Sequence, residues 1–144
     1  MKFAIIKERK NPPDKRAVLS PEACATLKKK FPSSNIKVES DTNRAFTDEE
    51  YRKFGIEVTN DISDCDVLLG IKEVPVELLI PNKKYFFFSH TIKKQSHNQK
   101  LLQAILKKNI ELYDHEVITD TKGVRIVAFG KYAGIVGAYN TIRA

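Results

Sequence analysis

Six short apolar runs, rich in β-branched and aromatic side chains, recur along the chain and predict β-strands. They are FAII (3–6), IKVES (36–40), VLLGI (67–71), YFFFS (85–89), IELYD (110–114) and RIVAF (125–129). Several of these runs are apolar throughout. That pattern is typical of strands covered on both faces by other elements.

Helix signals lie between the predicted strands. Ser20 is a candidate N-cap followed by a proline, and Pro32 ends that helix. Thr47 and Glu50 have the spacing of a capping box for a second helix. The segment 96–109 predicts a third helix with an apolar stripe. The stripe consists of Leu101, Leu102, Ile105 and Leu106.

The alternation of strands and helices predicts one α/β domain over residues 1–144. We expect an open, mostly parallel sheet with helices on both faces, a Rossmann-like or flavodoxin-like three-layer sandwich. Such sheets bind ligands at the carboxyl ends of their strands. Polar side chains that directly follow a strand are therefore the candidates for function.

Composition excludes several classes of protein. No run approaches the roughly 18 apolar residues of a membrane span, and the start resembles no signal peptide, so we expect a cytoplasmic protein with no membrane partner. Cys24 and Cys65 stand alone, which favours core positions and predicts no metal site. The net charge of +7 raises nucleic acid as a partner. Its lysines are scattered among 18 acidic residues, however, which favours solvated surface and no nucleic acid.

Two titratable side chains follow neighbouring predicted strands. His90 comes directly after YFFFS, and imidazole ordinarily exchanges protons near neutral pH. Lys72 follows VLLGI, where an ammonium group at the end of a buried strand needs a carboxylate, a carbonyl or water. Structural alternatives remain, because His90 can cap the next helix or bond a carbonyl, and Lys72 can be an ordinary loop residue.

Further charged residues lie at other strand ends. Arg16 lies in the loop after the first strand, where its guanidinium suits a substrate carboxylate, unless it pairs with Asp14 or Glu22 on the surface. Arg125 opens the last predicted strand and Glu116 follows the one before it. A carboxylate beside the lysine or histidine would adjust its proton affinity.

Glycines near the end of the chain do not form a dinucleotide motif. Gly130, Gly134 and Gly137 have the spacing GxxxGxxG, whereas a dinucleotide loop requires GxGxxG. We expect instead a helix whose small residues pack closely against another helix or a second domain. No cofactor-binding residue is predicted in this chain.

Longer stretches carry a resemblance to a known family. FFFSHTIKKQSHNQKLLQAILKKNIELYDHE and GVRIVAFGKYAGIVGA resemble the N-terminal part of lysine–ketoglutarate reductase, the lysine-forming saccharopine dehydrogenase. This group lies within the wider family of alanine dehydrogenase and the nicotinamide nucleotide transhydrogenase α subunit. KERKNPPDKRAVLSPE, VESDTNRAFTDEEY and LLGIKEVP extend the resemblance over nearly the whole chain. The counterparts of Arg16, Lys72 and His90 also occur in alanine dehydrogenases, whereas GVRIVAFGKYAG favours the saccharopine side.

The resemblance implies a substrate-side domain that faces a separate C-terminal Rossmann domain carrying NAD or NADP. Lysine, 2-oxoglutarate and saccharopine are the implied substrates, and an oligomer is possible. Position by position, the resemblance assigns roles to a group of residues. These are Lys72 and His90 as the acid–base pair, Arg16, Lys93 and Arg125 as carboxylate-binding cations, Glu116 as a carboxylate that adjusts the pair and contacts the substrate, and Phe129 as an aromatic beside the substrate. Glu73, next to Lys72, is a further carboxylate that we expect to adjust the pair.

Two alternatives stay open at this point. An alanine dehydrogenase-type domain would act on pyruvate and ammonia with the same kind of site. A module that has lost catalysis would serve only in binding or regulation, although the presence of Lys72, His90 and Arg16 together argues against that.

Overall fold

The computed structural model describes residues 1–143 and contains, within them, one sheet of six strands in which every pairing is parallel. The strands are β1 (Lys2–Ile5), β2 (Asn35–Glu39), β3 (Glu57–Thr59), β4 (Val67–Lys72), β5 (Lys84–Phe88) and β6 (Glu111–Asp114). Their spatial order is β3-β2-β1-β4-β5-β6. This is the doubly wound order, in which ligands bind beside the β1/β4 boundary, where the strand order reverses. The predicted fold class is confirmed.

Four α-helices accompany the sheet, and the predicted caps form where the sequence places them. The helices are α1 (Pro21–Lys30), α2 (Asp48–Lys53), α3 (Gln99–Lys107) and α4 (Gly130–Arg143). The Ser20 hydroxyl accepts a hydrogen bond from the amide of Ala23 at 3.2 Å. At the start of α2, Thr47 and Glu50 each accept a bond from the other's amide, at 3.2 and 2.6 Å, which completes the capping box.

Two separate cores lie on the opposite faces of the sheet. Ala4 belongs to the core that α3 covers, and its neighbour Ile5 belongs to the core that α1 and α2 cover. Successive residues of a strand point to opposite faces, so this division places helices on both sides of the sheet. Cys24 and Cys65 are fully buried, one in each core, as predicted.

The sixth predicted strand is wrong. Residues 125–129 form no strand of the sheet and instead lie in the connection between β6 and α4, where Arg125 makes one isolated antiparallel bridge with Thr119. β6 lies at one edge of the sheet, and Ile126 and Phe129 are 62% and 45% exposed. The run therefore has β-propensity without a neighbouring strand to pair with. β3, a strand of three residues, was not predicted.

The apolar stripe predicted for the third helix is only partly buried. Leu101 and Ile105 lie in the core, whereas Leu102 and Leu106 are 42% and 73% exposed. The face of α3 that meets the sheet is completed by Ala104. α3 packs against one sheet, so only the side of the helix that contacts the sheet is buried, and the buried stripe is narrower than predicted.

The helix α4 extends away from both cores. All of its described residues are exposed, among them the apolar side chains of Tyr132, Ile135 and Tyr139. A Cβ atom added at Gly130, Gly134 or Gly137 would meet nothing within 4 Å. The close packing predicted for these small residues therefore stays a prediction. No helix in the described part of the chain combines the length and the apolarity that crossing a membrane requires.

Candidate active site

A cavity of about 370 Å³ opens at the carboxyl ends of the central strands. It is lined by the last residues of β4 and β5, by the segments that follow β1, β5 and β6, and by the start of α4. The lining residues are Arg16, Lys72, Phe88, His90, Glu116, Arg125, Val127, Ala128, Phe129 and Gly130. The parallel sheet thus brings together side chains that lie far apart in sequence, at the edge where this fold binds ligands.

His90 and Glu116 form a hydrogen-bonded pair at the ends of β5 and β6. Nδ1 of His90 lies 2.8 Å from Oε2 of Glu116. The ionised carboxylate can only accept hydrogen bonds, so Nδ1 carries the hydrogen. This leaves Nε2 as the ring atom able to take up a proton from a substrate.

Lys93 belongs to the same cluster. Its Nζ lies 3.1 Å from Oε1 of Glu116 and 3.2 Å from Nδ1 of His90. The ammonium and the Nδ1 hydrogen are both donors, so only the contact with the carboxylate is a productive bond. Arg125 approaches the same Oε1 at 3.5 Å. One carboxylate therefore holds three basic side chains.

The cluster fixes the charge of Glu116. Its hydrogen bond with His90 holds the pKa of Glu116 below its usual range, and Lys93 adds to this against the opposing effect of burial. Glu116 thus stays ionised at neutral pH. Its negative charge favours the hydrogen on Nδ1 and offsets part of the positive charge that gathers at this end of the cavity.

Arg16 lines the opposite side of the cavity and makes two contacts. Its Nε donates to Oδ1 of Asp14 at 2.9 Å, and its Nη2 also bonds that carboxylate. The guanidinium carbon lies 5.2 Å from the ring centroid of Phe129, a cation–π distance. Arg16 therefore pairs with Asp14 and also faces the cavity, and its binding of a substrate carboxylate stays a prediction.

The pairing of Asp14 with Arg16 predicts a pH effect on stability. The hydrogen bond from Arg16 lowers the pKa of Asp14 to about 2, below the value of about 3.9 for an unfolded aspartate. The ionised carboxylate therefore stabilises the fold above about pH 4, and this contribution disappears as the pH falls through about 2. We expect Asp14→Asn to lower the free energy of unfolding at pH 7 by up to about 1 kcal/mol.

Urea unfolding of both proteins between pH 2 and pH 7 measures this effect. The difference between wild type and Asp14→Asn should shrink as the pH falls below about 4. A difference that stays constant over the range would contradict the assignment. Asp41→Asn is a suitable control, because Asp41 accepts a local backbone hydrogen bond, from Asn43, and forms no ion pair in the described residues.

The position of Lys72 is fixed through its backbone amide. The carboxylate of Glu8 accepts hydrogen bonds from the amides of Ile71 at 2.7 Å and of Lys72 at 2.8 Å. Glu8 lies beyond the end of β1, so its side chain continues the pairing with β4 where the β1 backbone no longer does. Burial raises the pKa of Glu8, although the two amides act in the opposite direction.

Glu73 takes a different place from the other predicted site residues. Its Oε1 pairs with Lys10 at 3.0 Å, and Glu73 is absent from the residues lining the cavity in the described part of the chain. Alternation along the strand sends the side chains of Lys72 and Glu73 in different directions. In the described residues no ion pair or hydrogen bond joins the carboxylate of Glu73 to Lys72 or His90, whereas Glu116 contacts His90. The effect of Glu73 on the proton affinity of the pair stays a prediction.

Sequence reasoning missed the residues that support His90. His90 has a φ of 57°, a left-handed backbone conformation that costs a non-glycine residue on the order of 1 kcal/mol. Ser89 and Asp114 are buried beside it and bond to each other. Both were visible as polar ends of apolar runs, in YFFFS and IELYD, and that was the available signal.

His115 is another buried polar residue that sequence reasoning did not identify. Its Nε2 lies 3.0 Å from the carbonyl oxygen of Gly70, which can only accept, so Nε2 carries the hydrogen. Its ring packs edge-on against Phe88, with centroids 5.2 Å apart. Since Gly70 belongs to β4 and His115 follows β6, this bond spans the intervening strand β5.

Comparison with known proteins places this site in a family. A sequence profile described as "Alanine dehydrogenase/PNT, N-terminal domain" matches residues 4–136, most of the chain. The chain belongs to this family. The resemblance to this family that the sequence predicted is thereby confirmed. The residues that line the cavity lie within the part of the chain that the family profile covers.

Three named relatives are between 31% and 40% identical to this chain. Alpha-aminoadipic semialdehyde synthase of Arabidopsis thaliana is 40% identical over 137 residues, which are 92% of this chain and 13% of the relative. The Bos taurus protein "Alpha-aminoadipic semialdehyde synthase, mitochondrial" is 40% identical over 97% of this chain and 15% of its own length. "Saccharopine dehydrogenase [NAD(+), L-lysine-forming]" of Emericella nidulans is 31% identical over 88% of this chain and 35% of its own length.

Two solved structures share the fold. An L-alanine dehydrogenase has a TM-score of 0.67 at 17% identity, covering 85% of this chain and 34% of that protein. A transhydrogenase from Sinorhizobium meliloti has a TM-score of 0.68 at 18% identity, covering 85% of this chain and 37% of that protein. The chain thus spans from about a seventh to little more than a third of the length of the proteins it matches.

Proposed function

We propose that residues 1–144 form the substrate-side domain of an NAD(P)-dependent oxidoreductase that condenses lysine with 2-oxoglutarate to saccharopine, or runs the reverse reaction. The observation that carries this proposal is that four basic side chains line the same cavity. They are Arg16, Lys72, His90 and Arg125. Membership of the family and the names of the relatives support the choice of reaction.

The cations of the cavity suit substrates with several carboxylates. Lysine and 2-oxoglutarate bring three carboxylates to one product, and charge-assisted bonds from guanidinium groups are well matched to them. Arg16 and Arg125 are the residues we assign to this binding, with Lys93 at the rim. The aromatic rings of Phe88 and Phe129, whose centroids lie 6.1 Å apart, offer an apolar wall for the methylene chains.

Proton transfer is the role we assign to Lys72 and His90. The ε-amine of lysine must lose a proton before it attacks the carbonyl carbon, and Nε2 of His90 is the ring atom free to accept it. After the attack one proton moves from the nitrogen to the oxygen to give the carbinolamine. Its hydroxyl must then gain one more proton and leave as water, which gives the protonated imine. Lys72, as an ammonium group on the same cavity, is a suitable donor for that step.

The cofactor belongs to a part of the protein beyond these residues. A bound nicotinamide would supply the hydride that reduces the imine carbon. The described residues fit it poorly, because the chain lacks GxGxxG and its glycines at 130, 134 and 137 lie on an exposed helix. We therefore propose that a Rossmann domain in the same polypeptide holds NAD or NADP against the open side of the cavity.

The test is an NAD(P)H oxidation assay on the complete polypeptide that carries these residues. We expect oxidation with 2-oxoglutarate plus lysine and none with pyruvate plus ammonia. Residues 1–144 alone should oxidise no NAD(P)H with either pair. Activity restricted to pyruvate plus ammonia would make this an alanine dehydrogenase-type domain, and inactivity with both pairs would favour a noncatalytic module.

A further inference from the structure

We infer that Asp114 and Ser89 form a buried brace that positions both members of the His90–Glu116 pair. This makes them positioning residues, which act on the reaction through their neighbours. The inference rests on the proposed function for its kinetic consequences. The structural part of the inference depends only on hydrogen bonds near the ends of β5 and β6.

The brace begins where the backbone pairing of β5 and β6 ends. Phe87 is paired with Asp114 in the sheet, and the amide of His115 donates to the carbonyl of Phe87 at 3.1 Å. Beyond this point the described residues of the two segments share no further backbone hydrogen bond. The hydroxyl of Ser89 then donates to Oδ2 of Asp114, so a side-chain bond joins the two segments that the backbone no longer joins.

Each partner of this bond also holds its own segment. Oδ1 of Asp114 accepts the amide of Glu116 at 2.8 Å, which fixes the turn that presents the Glu116 carboxylate. Oγ of Ser89 accepts the amide of Thr91 at 3.1 Å. His90 lies between Ser89 and Thr91, so the same hydroxyl constrains the backbone on both sides of the histidine.

Burial and charge support a positioning role. Ser89 is 1% exposed and Asp114 is 7% exposed. Within residues 1–143, Asp114 takes part in no ion pair, so the contacts of its carboxylate are the hydrogen bonds of the brace. A buried carboxylate is costly without compensating bonds, and both of its oxygens are satisfied here by the segments that carry the pair.

The left-handed conformation of His90 requires support from the surrounding structure, and the brace supplies part of it. A non-glycine residue keeps a positive φ only where the surrounding structure enforces it. The side-chain amide of Asn98 helps by donating from Nδ2 to the carbonyl of His90 at 3.1 Å. The brace adds the constraint from the side of β6, and it ties the histidine to the segment that bears its carboxylate partner.

Three variants test the inference. Ser89→Ala removes the hydroxyl that joins the segments. Asp114→Asn is the conservative variant, since its amide oxygen can still accept from Glu116 and its NH₂ group can donate to Ser89. Ser40→Ala is the matched control, because the Ser40 hydroxyl donates to Oδ2 of Asp48 at 2.6 Å in the same kind of bond, at the end of β2 and away from the cavity.

The first readout is the NMR spectrum of residues 1–144. The chain has only three histidines, so the ring signals of His90 can be assigned with single variants at the other two. We expect Ser89→Ala to shift or split the His90 ring signals and the Glu116 amide signal. Asp114→Asn should leave them close to wild type, and Ser40→Ala should not move them. Unmoved His90 and Glu116 signals in Ser89→Ala would overturn the inference.

The second readout is steady-state kinetics of the complete polypeptide. Misplacing a reacting group can cost about 100-fold in rate. We expect Ser89→Ala to lower kcat by about 10-fold to 100-fold, with a smaller change in KM for 2-oxoglutarate, because Arg16 lies outside the brace whereas Arg125 contacts Glu116. An unchanged kcat would also overturn the inference. If the wild-type polypeptide turns over neither substrate pair, the proposed function fails, and the NMR result still decides whether the brace exists.

Discussion

Replacing Lys72 by methionine and His90 by glutamine together should lower kcat for saccharopine formation by about 1,000-fold or more. Each general acid or base contributes about 100-fold to 10,000-fold, and residues acting on the same proton-transfer sequence do not add independently. Both substitutions keep similar side-chain volume at positions that line an open cavity. The melting temperature should therefore change little.

The same segment offers a matched control. Lys94→Met and His97→Gln make the same chemical changes at two exposed positions that do not line the cavity. The control protein should retain wild-type kcat. Turnover that survives in the Lys72 and His90 variant would remove the acid–base assignment, while leaving the family membership untouched.

Replacing Arg16 by glutamine should raise KM for 2-oxoglutarate by about 10-fold to 100-fold. A hydrogen bond to a charged group contributes about 1.5–3 kcal/mol, which corresponds to that range. The substrate carboxylate would have to compete with Asp14, which bonds the guanidinium. Arg16→Lys should recover only part of the loss, because an ammonium group lacks the planar fork of donors.

Initial-rate kinetics with varied 2-oxoglutarate at saturating lysine measures this change. Arg52→Gln is the matched control, since Arg52 pairs with Glu49 on the exposed side of α2 at 3.5 Å. A KM for 2-oxoglutarate that matches the control would place the carboxylate elsewhere, with Arg125 as the next residue to replace.

Much of the fold could be predicted because its strands are buried and its helices carry caps. FAII, VLLGI and YFFFS became central strands, where apolar side chains on both faces leave little room for another interpretation. RIVAF misled because it has the composition of a strand but lies past the sheet edge, and no adjacent strand exists for it in the described residues. The amino-acid composition of a run indicates its β-propensity, whereas strand pairing also requires a neighbouring strand that is distant in sequence.

The site could be predicted in its parts more readily than in its connections. Parallel topology brings the carboxyl ends of the strands to one edge, so the place of Lys72 and His90 on one cavity was predictable from position. Their chemical roles stay predictions. The sequence does not reveal that Glu116 bonds Lys93 and His90 at once, or that Glu73 pairs with Lys10, since these contacts depend on side-chain direction in three dimensions. The role of Ser89 and Asp114 was hidden for the same reason.

The position of β6 at the sheet edge has a consequence for local stability. β6 pairs with β5 alone, so opening it exposes fewer backbone hydrogen bonds than opening a central strand. Glu116 follows this strand, so partial opening at the edge carries away the carboxylate that holds His90. We therefore expect the contact between His90 and Glu116 to be lost at a lower free energy than the global fold, and amide hydrogen exchange at β6 measures that difference.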